Sequence, residues 1–508
     1  MAIQNVKKIT SYLFVLRLFR MSLSMISLIL SAKFFGVSVE KDIWVLITTF
    51  LLTFGAAIWG PVNETFRAKF VFIKEQEGEA KAIVSTLSLV VCIVSITIVL
   101  SIIIALLRNS LAAWLFTTST SDESLHLFSL LLILMLPTLL INQLSSIGIS
   151  ILNAYNIYYL PEIIGVISSV INVAIIFFLA PRIGIFSLAI SQYIALILLL
   201  LGVSYYLWRL RLFHWSDILN VRLHGFWVFL LFALPFFFPY FVGQCNAFVE
   251  KWLAGCLGEG IISSLDYARQ FTVVLQSVIS SVLTTVMVPL LAKAYAQHDM
   301  EQYQRIFREN LIVCFGILAL AVPIMVGAAT PLCNFFFLHG KVSPEALSAI
   351  IILTRAYGFA FIGILLYMVV GYALLASDKG KRYAFWGVVV QLIILGMNFV
   401  LIHFLGVYVF PLTLGIVHLA GAGVMVISLL LQHKNAIFLR VGRYSLVIIG
   451  MSLLLYIFNE IIHMSSAFVQ LLFNGLLLFG LLALCAPALD IHLFTYLNKL
   501  YLKLCRNS

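Results

Sequence analysis

Apolar runs of about twenty residues, separated by short polar connections, repeat along the whole chain, and runs of that length read as membrane-crossing helices. They fall near 13–35, 42–66, 83–107, 125–150, 161–180, 185–208, 226–256, 263–291, 311–336, 346–376, 384–405, 408–432, 445–464 and 467–488. No connection is long enough to hold a separate soluble domain. The pattern predicts an all-α polytopic membrane protein with about fourteen transmembrane helices. Those after residue 444 read as two additional helices.

Composition agrees: 63% of residues are hydrophobic and 10% charged. Soluble domains carry roughly 45–50% and about 25%, so no soluble core could absorb this much apolar surface. Lys7 and Lys8 precede the first run as they would in a signal peptide. Arg17 and Arg20 interrupt that run, so it reads as a retained first span. The cysteines Cys92, Cys245, Cys256, Cys314, Cys333, Cys485 and Cys505 have no paired spacing and read as small core hydrophobes, giving neither a disulfide framework nor a metal site. The histidines form no metal-binding motif, and no phosphate-binding loop of the ATPase kind occurs.

The basic balance reports topology. Of 31 Lys and Arg, 21 fall on tails and loops that the span map puts on the side of the N-terminus, four on the other side, and six within spans. Under the positive-inside rule both termini are then cytoplasmic, and no nucleic-acid partner is needed to explain the net charge of +11.

The chain also repeats. Asn172-Val-Ala-Ile-Ile-Phe-Phe-Leu179 matches Asn398-Phe-Val-Leu-Ile-His-Phe-Leu405 at an offset of 226, and Ala32…Gly36 aligns with Ala254…Gly258 at an offset of 222. Spans one to six thus repeat as seven to twelve. Six is even, so the repeats are parallel. This predicts a six-helix lobe over 1–222, a second over 223–443, a central cleft, and two further helices with a cytoplasmic tail over 444–508.

Charged residues within the spans are the candidate chemistry, because a cation at a helix centre costs roughly 2.5–3.5 kcal/mol on insertion scales. Arg17, Arg20, Ser24, Ser27 and Ser31 share one helical face. They read either as snorkelling anchors above small-residue contacts or as the polar wall of a cavity. Arg355 lies about 13 Å into span ten at 1.5 Å per residue. Asp266 and Arg269 are three apart and face one side, and Glu250 and Lys251 sit near the end of span seven. Asp42 begins span two and also reads as a plain helix cap. The spans hold Arg17, Arg20, Lys33, Lys251, Arg269 and Arg355 against Glu64, Glu250 and Asp266. That excess suits an anionic cargo such as a diphosphate, which guanidinium groups bind bidentately.

The run Ala32-Lys-Phe-Phe-Gly36 with Asp42 resembles the end of the first helix in the MurJ/MviN-like lipid II flippase family, within the multidrug/oligosaccharidyl-lipid/polysaccharide exporter superfamily. Val249-Glu-Lys-Trp-Leu-Ala254 through Gly258-Glu-Gly-Ile-Ile-Ser-Ser-Leu-Asp-Tyr-Ala268 is similar to that family's seventh-to-eighth helix junction. Val288-Pro-Leu290 with Ala292, and Phe337-Leu-His-Gly-Lys341, also fit. The resemblance implies a V-shaped, two-lobed transporter of the bacterial inner membrane, with no enzymatic activity. It would carry polyprenyl-pyrophosphate-linked saccharides outward by alternating access. On this reading Arg17, Arg20, Asp42, Lys251, Arg269 and Arg355 contact substrate. Glu250 and Asn398 are the candidates for a Na+ or H+ coupling site, no other cofactor being expected. Implied partners are the lipid-linked saccharide, membrane lipids and other cell-envelope biosynthesis proteins.

The chain departs from the family pattern in two places: Ser27-Leu28 stands where the family has Arg-Asp, and Gln270 where it has an arginine. This favours a divergent relative, for lipid II or for a surface-polysaccharide unit. A cation-coupled multidrug exporter, a membrane glycosyltransferase and a non-transporting scaffold for envelope assembly are the rival readings.

Overall fold

The computed structural model describes residues 2–115, 121–155, 157–212, 222–338, 340–429, 434–464 and 466–490. The predicted C-terminal tail, Cys505 and His339 of the Phe337–Lys341 motif lie outside these residues. The described residues form helices throughout, with no strand among them. Twelve helical segments are long and apolar enough to cross a membrane, and one of these, Gly380–Ser428, is two helices joined by a 3-10 turn. Large side chains such as Leu106, Phe404 and Leu484 are more than three-quarters exposed, as expected where the solvent is hydrocarbon. The protein is a multi-pass membrane protein.

The chain divides into two compact units, Met1–Ser263 with Gly340–Val342, and Ser264–His339 with Ser343–Ser508. In the first, α1 (Ala2–Phe35) is followed by α2 (Val39–Glu77), α3 (Glu79–Leu106), α4 (Arg108–Leu115), α5 (Asp122–Met135), α6 (Pro137–Ala154), α7 (Tyr159–Ile183), α8 (Phe186–Arg209) and α9 (Leu223–Leu257). The single span expected over 125–150 is the segment Asp122–Ala154, in which the helical ladder is interrupted at Leu136-Pro137. Pro137 has no N–H to continue the ladder of α5, and the chain restarts with proline at the first turn of α6. Helix α9 packs on α2 and α3, and α7 packs on α1 and α8. The core of this unit gathers Trp59, Phe66, Phe70, Ile93, Ile147 and Phe229, with the Phe66 and Phe229 rings stacked at 5.0 Å.

The second unit contains α10 (Ile261–Val282), a π turn (Leu283–Met287), α11 (Val288–Ala296), α12 (Met300–Val326), α13 (Ala329–Phe337), α14 (Pro344–Ala376), α15 (Gly380–Leu405), α16 (Val409–Ser428), α17 (Lys434–Ile461) and α18 (Ala467–Cys485). The first three residues of α10 are counted with the first unit. Helix α14 packs on α16 so closely that a Cβ at Gly363 would overlap the Gly415 carbonyl oxygen. Helices α17 and α18 pack on α12 and add Tyr444, Ile448, Met451 and Leu482 to a core with Phe315, Leu318 and Phe361.

The asparagines of the two matched octapeptides make like contacts. In the first unit the Ser191 hydroxyl of α8 donates to Asn172 of α7. In the second, the Thr413 hydroxyl of α16 donates to Asn398 of α15 at 2.6 Å. Each asparagine thus ties its own helix to the next long one.

Candidate functional site

Three of the sequence motifs meet at one junction in the first unit. Helix α1 ends at Gly36, whose φ of +60° favours glycine and whose N–H donates to the Ala32 carbonyl at 3.0 Å. The same carbonyl accepts from Lys341 N–H at 3.2 Å, and a Cβ on Gly340 would lie 2.5 Å from it. The glycines of Ala32–Gly36 and Gly340–Lys341 therefore let two backbones touch. The Ser38 hydroxyl caps α2 by accepting from Lys41 N–H at 3.3 Å, which leaves Asp42 free for a different task. Its oxygens accept from Gly260 N–H at 2.6 Å and Ser263 N–H at 2.7 Å, the donors at the start of α10. Asp42, 4% exposed, thus caps α10 from the first turn of α2. Lys251, equally buried, lies within electrostatic reach of it. Glu250, its neighbour in sequence, is also buried.

The basic face of α1 has an acidic partner. Arg17 Nε donates to Glu162 Oε1 at 2.8 Å, and Arg20 lies 3.9 Å from the other oxygen of the same carboxylate. Glu162 stands in the first turn of α7. Further along that face, Asn172 donates to Ser27 Oγ at 3.4 Å, while Ser31 is buried. Sequence reasoning did not single out Glu162. The partner lies 145 residues from Arg17, and nothing in its local pattern marks it.

The remaining candidates are in the second unit. Arg355 donates through one terminal nitrogen to the Thr330 hydroxyl of α13 at 3.2 Å. Its guanidinium lies 4.8 Å from the centre of the Tyr456 ring on α17. Its Nε is buried with no acceptor among the described residues. Arg269 is within electrostatic reach of His418 on α16. Asn398 is 1% exposed and its carbonyl oxygen is engaged by Thr413. No cluster of three or more His, Cys, Asp or Glu able to hold a metal ion occurs among the described residues.

The arrangement is a set of cations spread over several helices of a protein built of membrane spans, with Arg17 and Arg20 held by Glu162 and Arg355 held by Thr330 and Tyr456. The sequence model of the family described as lipid II flippase MurJ matches residues 18–482. The chain belongs to the MurJ lipid II flippase family. The lipid II flippase MurJ of Burkholderia cenocepacia is 24% identical over 183 residues, which is 36% of each chain, so the match spans about a third of that relative's length. A solved structure of lipid II flippase MurJ in an inward closed conformation superposes with a TM-score of 0.76 at 20% identity, covering 94% of this chain and 99% of that one. An inward-facing multidrug resistance MATE family transporter of the MOP superfamily gives 0.66 at 13% identity, covering 85% and 99%. The MurJ fold is therefore present over almost the whole chain, and MATE transporters share it.

Proposed function

We propose that this protein is a flippase that moves polyprenyl-diphosphate-linked saccharide, lipid II or a surface-polysaccharide unit, from the cytoplasmic to the outer leaflet of the bacterial inner membrane. The observation that carries the reading is the family match over residues 18–482. The excess of guanidinium and ammonium groups over carboxylates within the spans supports it, since a diphosphate is the anionic part of such a substrate.

Arg17, Arg20, Arg269 and Arg355 would attract the diphosphate, with Lys251 adding charge. Asp42, both of whose oxygens are engaged by α10, would keep the junction in register. The sugars would travel in water and the polyprenyl tail in lipid. Transport would proceed by alternating access, with 1–222 and 223–443 as the two halves and both termini in the cytoplasm. An ion gradient or the membrane potential would supply the drive, with Glu250 and Asn398 as the ion-coupling candidates.

The test is translocation of a fluorescent polyprenyl-diphosphate saccharide in vesicles containing the purified protein. The wild type should make the headgroup accessible on the far side, and Arg269→Ala or Arg355→Ala should reduce the rate at least tenfold with the protein still folded. Wild-type rates in both variants would overturn the assignment of these arginines, and no translocation by the wild type would overturn the function.

A further inference from the structure

In the first unit α2, α3, α6 and α9, each a candidate membrane span or part of one, line a half-open cavity of about 300 Å³. Its polar lining is Asn63, Thr97, Asn142, Gln143, Ser146 and Gln244, and none of its lining residues is charged. A smaller pocket of about 70 Å³ shares Leu51, Leu52, Leu139 and Asn142 with it and adds Thr48, Thr138 and Gln192, again without charge. Six amide and hydroxyl side chains from four helices thus converge on one uncharged, half-open space, where polar groups favour a hydrogen-bonding occupant over hydrocarbon.

Part of this set is already locked. Asn63 and Gln143 exchange two hydrogen bonds, at 3.0 and 2.8 Å, and the Trp59 indole N–H donates to Thr97 at 3.2 Å. These pairs fix the wall. Asn142 is exposed and Ser146 and Gln244 are half-buried, and no described residue engages their side chains, so their donors and acceptors are available to an occupant. Trp59 and Phe54 add aromatic surface to the same lining.

A chamber of this kind rejects a diphosphate, which would enter without a counter-charge. It suits a neutral ligand carrying hydroxyl or acetamido groups around an apolar ring face, which the amides bind at the edge and the aromatics on the face. We propose that the cavity is a subsite for the neutral pyranose portion of the transported lipid, separate from the cations that meet its diphosphate. The proposal rests on the flippase reading above. Its consequence is a division of labour: charged residues hold what all such lipids share, and this uncharged chamber distinguishes the sugar.

The experiment compares two probes on the full-length protein in lipid nanodiscs, polyprenyl diphosphate and polyprenyl diphosphate N-acetylhexosamine. The wild type should bind the sugar-bearing lipid more tightly. Asn142→Ala combined with Gln244→Ala should remove roughly tenfold of that advantage, the order expected for losing a hydrogen bond or two, and leave binding of the sugar-free lipid unchanged. Unchanged binding of the sugar-free lipid also reports that the variant is folded. Ser146→Phe, which fills the chamber, should act in the same direction. Equal binding of the two probes by the wild type, or an undiminished sugar advantage in both variants, would show that the cavity holds water alone and overturn the subsite. Failure to bind either probe would instead overturn the flippase reading, and the subsite with it.

Discussion

Two pairs of long spans, α3 with Asp122–Ala154 in the first unit and α12 with α14 in the second, differ sharply in how much protein surrounds them. In the first unit, 22% of the most apolar stretch of α3 is buried, and 33% of that in the segment Asp122–Ala154. In the second, the corresponding figures are 50% for α12 and 72% for α14. Packing accounts for this: α17 and α18 cover α12, where the Tyr444 and Phe315 rings meet tilted at 5.2 Å, and α12 and α16 cover α14. The first unit has no such cover among its described helices and instead carries the uncharged chamber, the Arg17–Glu162 pair and the Asp42 junction. At these spans the second unit is the more densely packed, and the first leaves polar interior surfaces.

Breaking the packed half should have the largest effect. Asn459, Gln470 and Asn474 join α17 to α18 by reciprocal amide hydrogen bonds of 2.9 to 3.2 Å, all three buried. Removing one member strands the others away from water, at about 1–3 kcal/mol per group. Asn474→Leu should therefore lower the thermal midpoint of the detergent-solubilised protein by several degrees and raise hydrogen exchange in α17 and α18, with α2 to α6 unaffected. Uniform exchange across both units would contradict the division drawn above.

Next is Gly363→Ala, which forces α14 off α16. Overpacking of this kind costs typically 1–3 kcal/mol, read as a lower thermal midpoint. The same change at Gly396, where an added Cβ meets nothing within 4 Å, should leave the midpoint in place.

In the polar half, Asp42→Ala leaves the N–H groups of Gly260 and Ser263 without their acceptor and should cost about 1–2 kcal/mol, the range for a lost helix cap. Exchange should rise at the start of α10, and Asp42→Asn should recover part of the loss. Local exchange identical in wild type and Asp42→Ala would remove Asp42 from the junction.

The smallest effect expected is a pH response near the end of α18. Burial alone would raise the Asp490 carboxyl, but the hydrogen bond from Tyr444 and the ion pair with Arg443 at 2.8 Å outweigh it and hold the carboxyl below its ordinary value. A depressed carboxyl contributes stability above its unfolded pKa, and that contribution disappears as pH falls through the folded value. The half-exposed arginine keeps the effect small. Asp490→Asn should therefore flatten a slight loss of stability below about pH 4, the usual carboxylate range.

The spans were legible because apolar length is the property that a bilayer selects, and the interruption of the helix at Pro137 within one span was not, because it barely changes hydropathy. Asn172 and Asn398 stand out as polar residues in apolar octapeptides, and each accepts from a hydroxyl on the next long helix. The site was legible by residue type and hidden in its pairings. Asn63 and Gln143 are 80 residues apart, and Arg17 and Glu162 are 145 apart, so neither helical periodicity nor local motif connects them. Asp42 shows the same limit from the other side. Its position suggested a cap on its own helix, yet Ser38 does that work, and Asp42 caps a helix more than 200 residues further on.

The most direct measurement is native mass spectrometry of the gently solubilised wild-type protein beside Arg269→Ala. A bound polyprenyl-diphosphate saccharide in the wild type, lost from the variant, is the predicted result, and its mass would name the sugar. Ordinary phospholipid alone, with added polyprenyl-diphosphate saccharide failing to bind, would contradict the account.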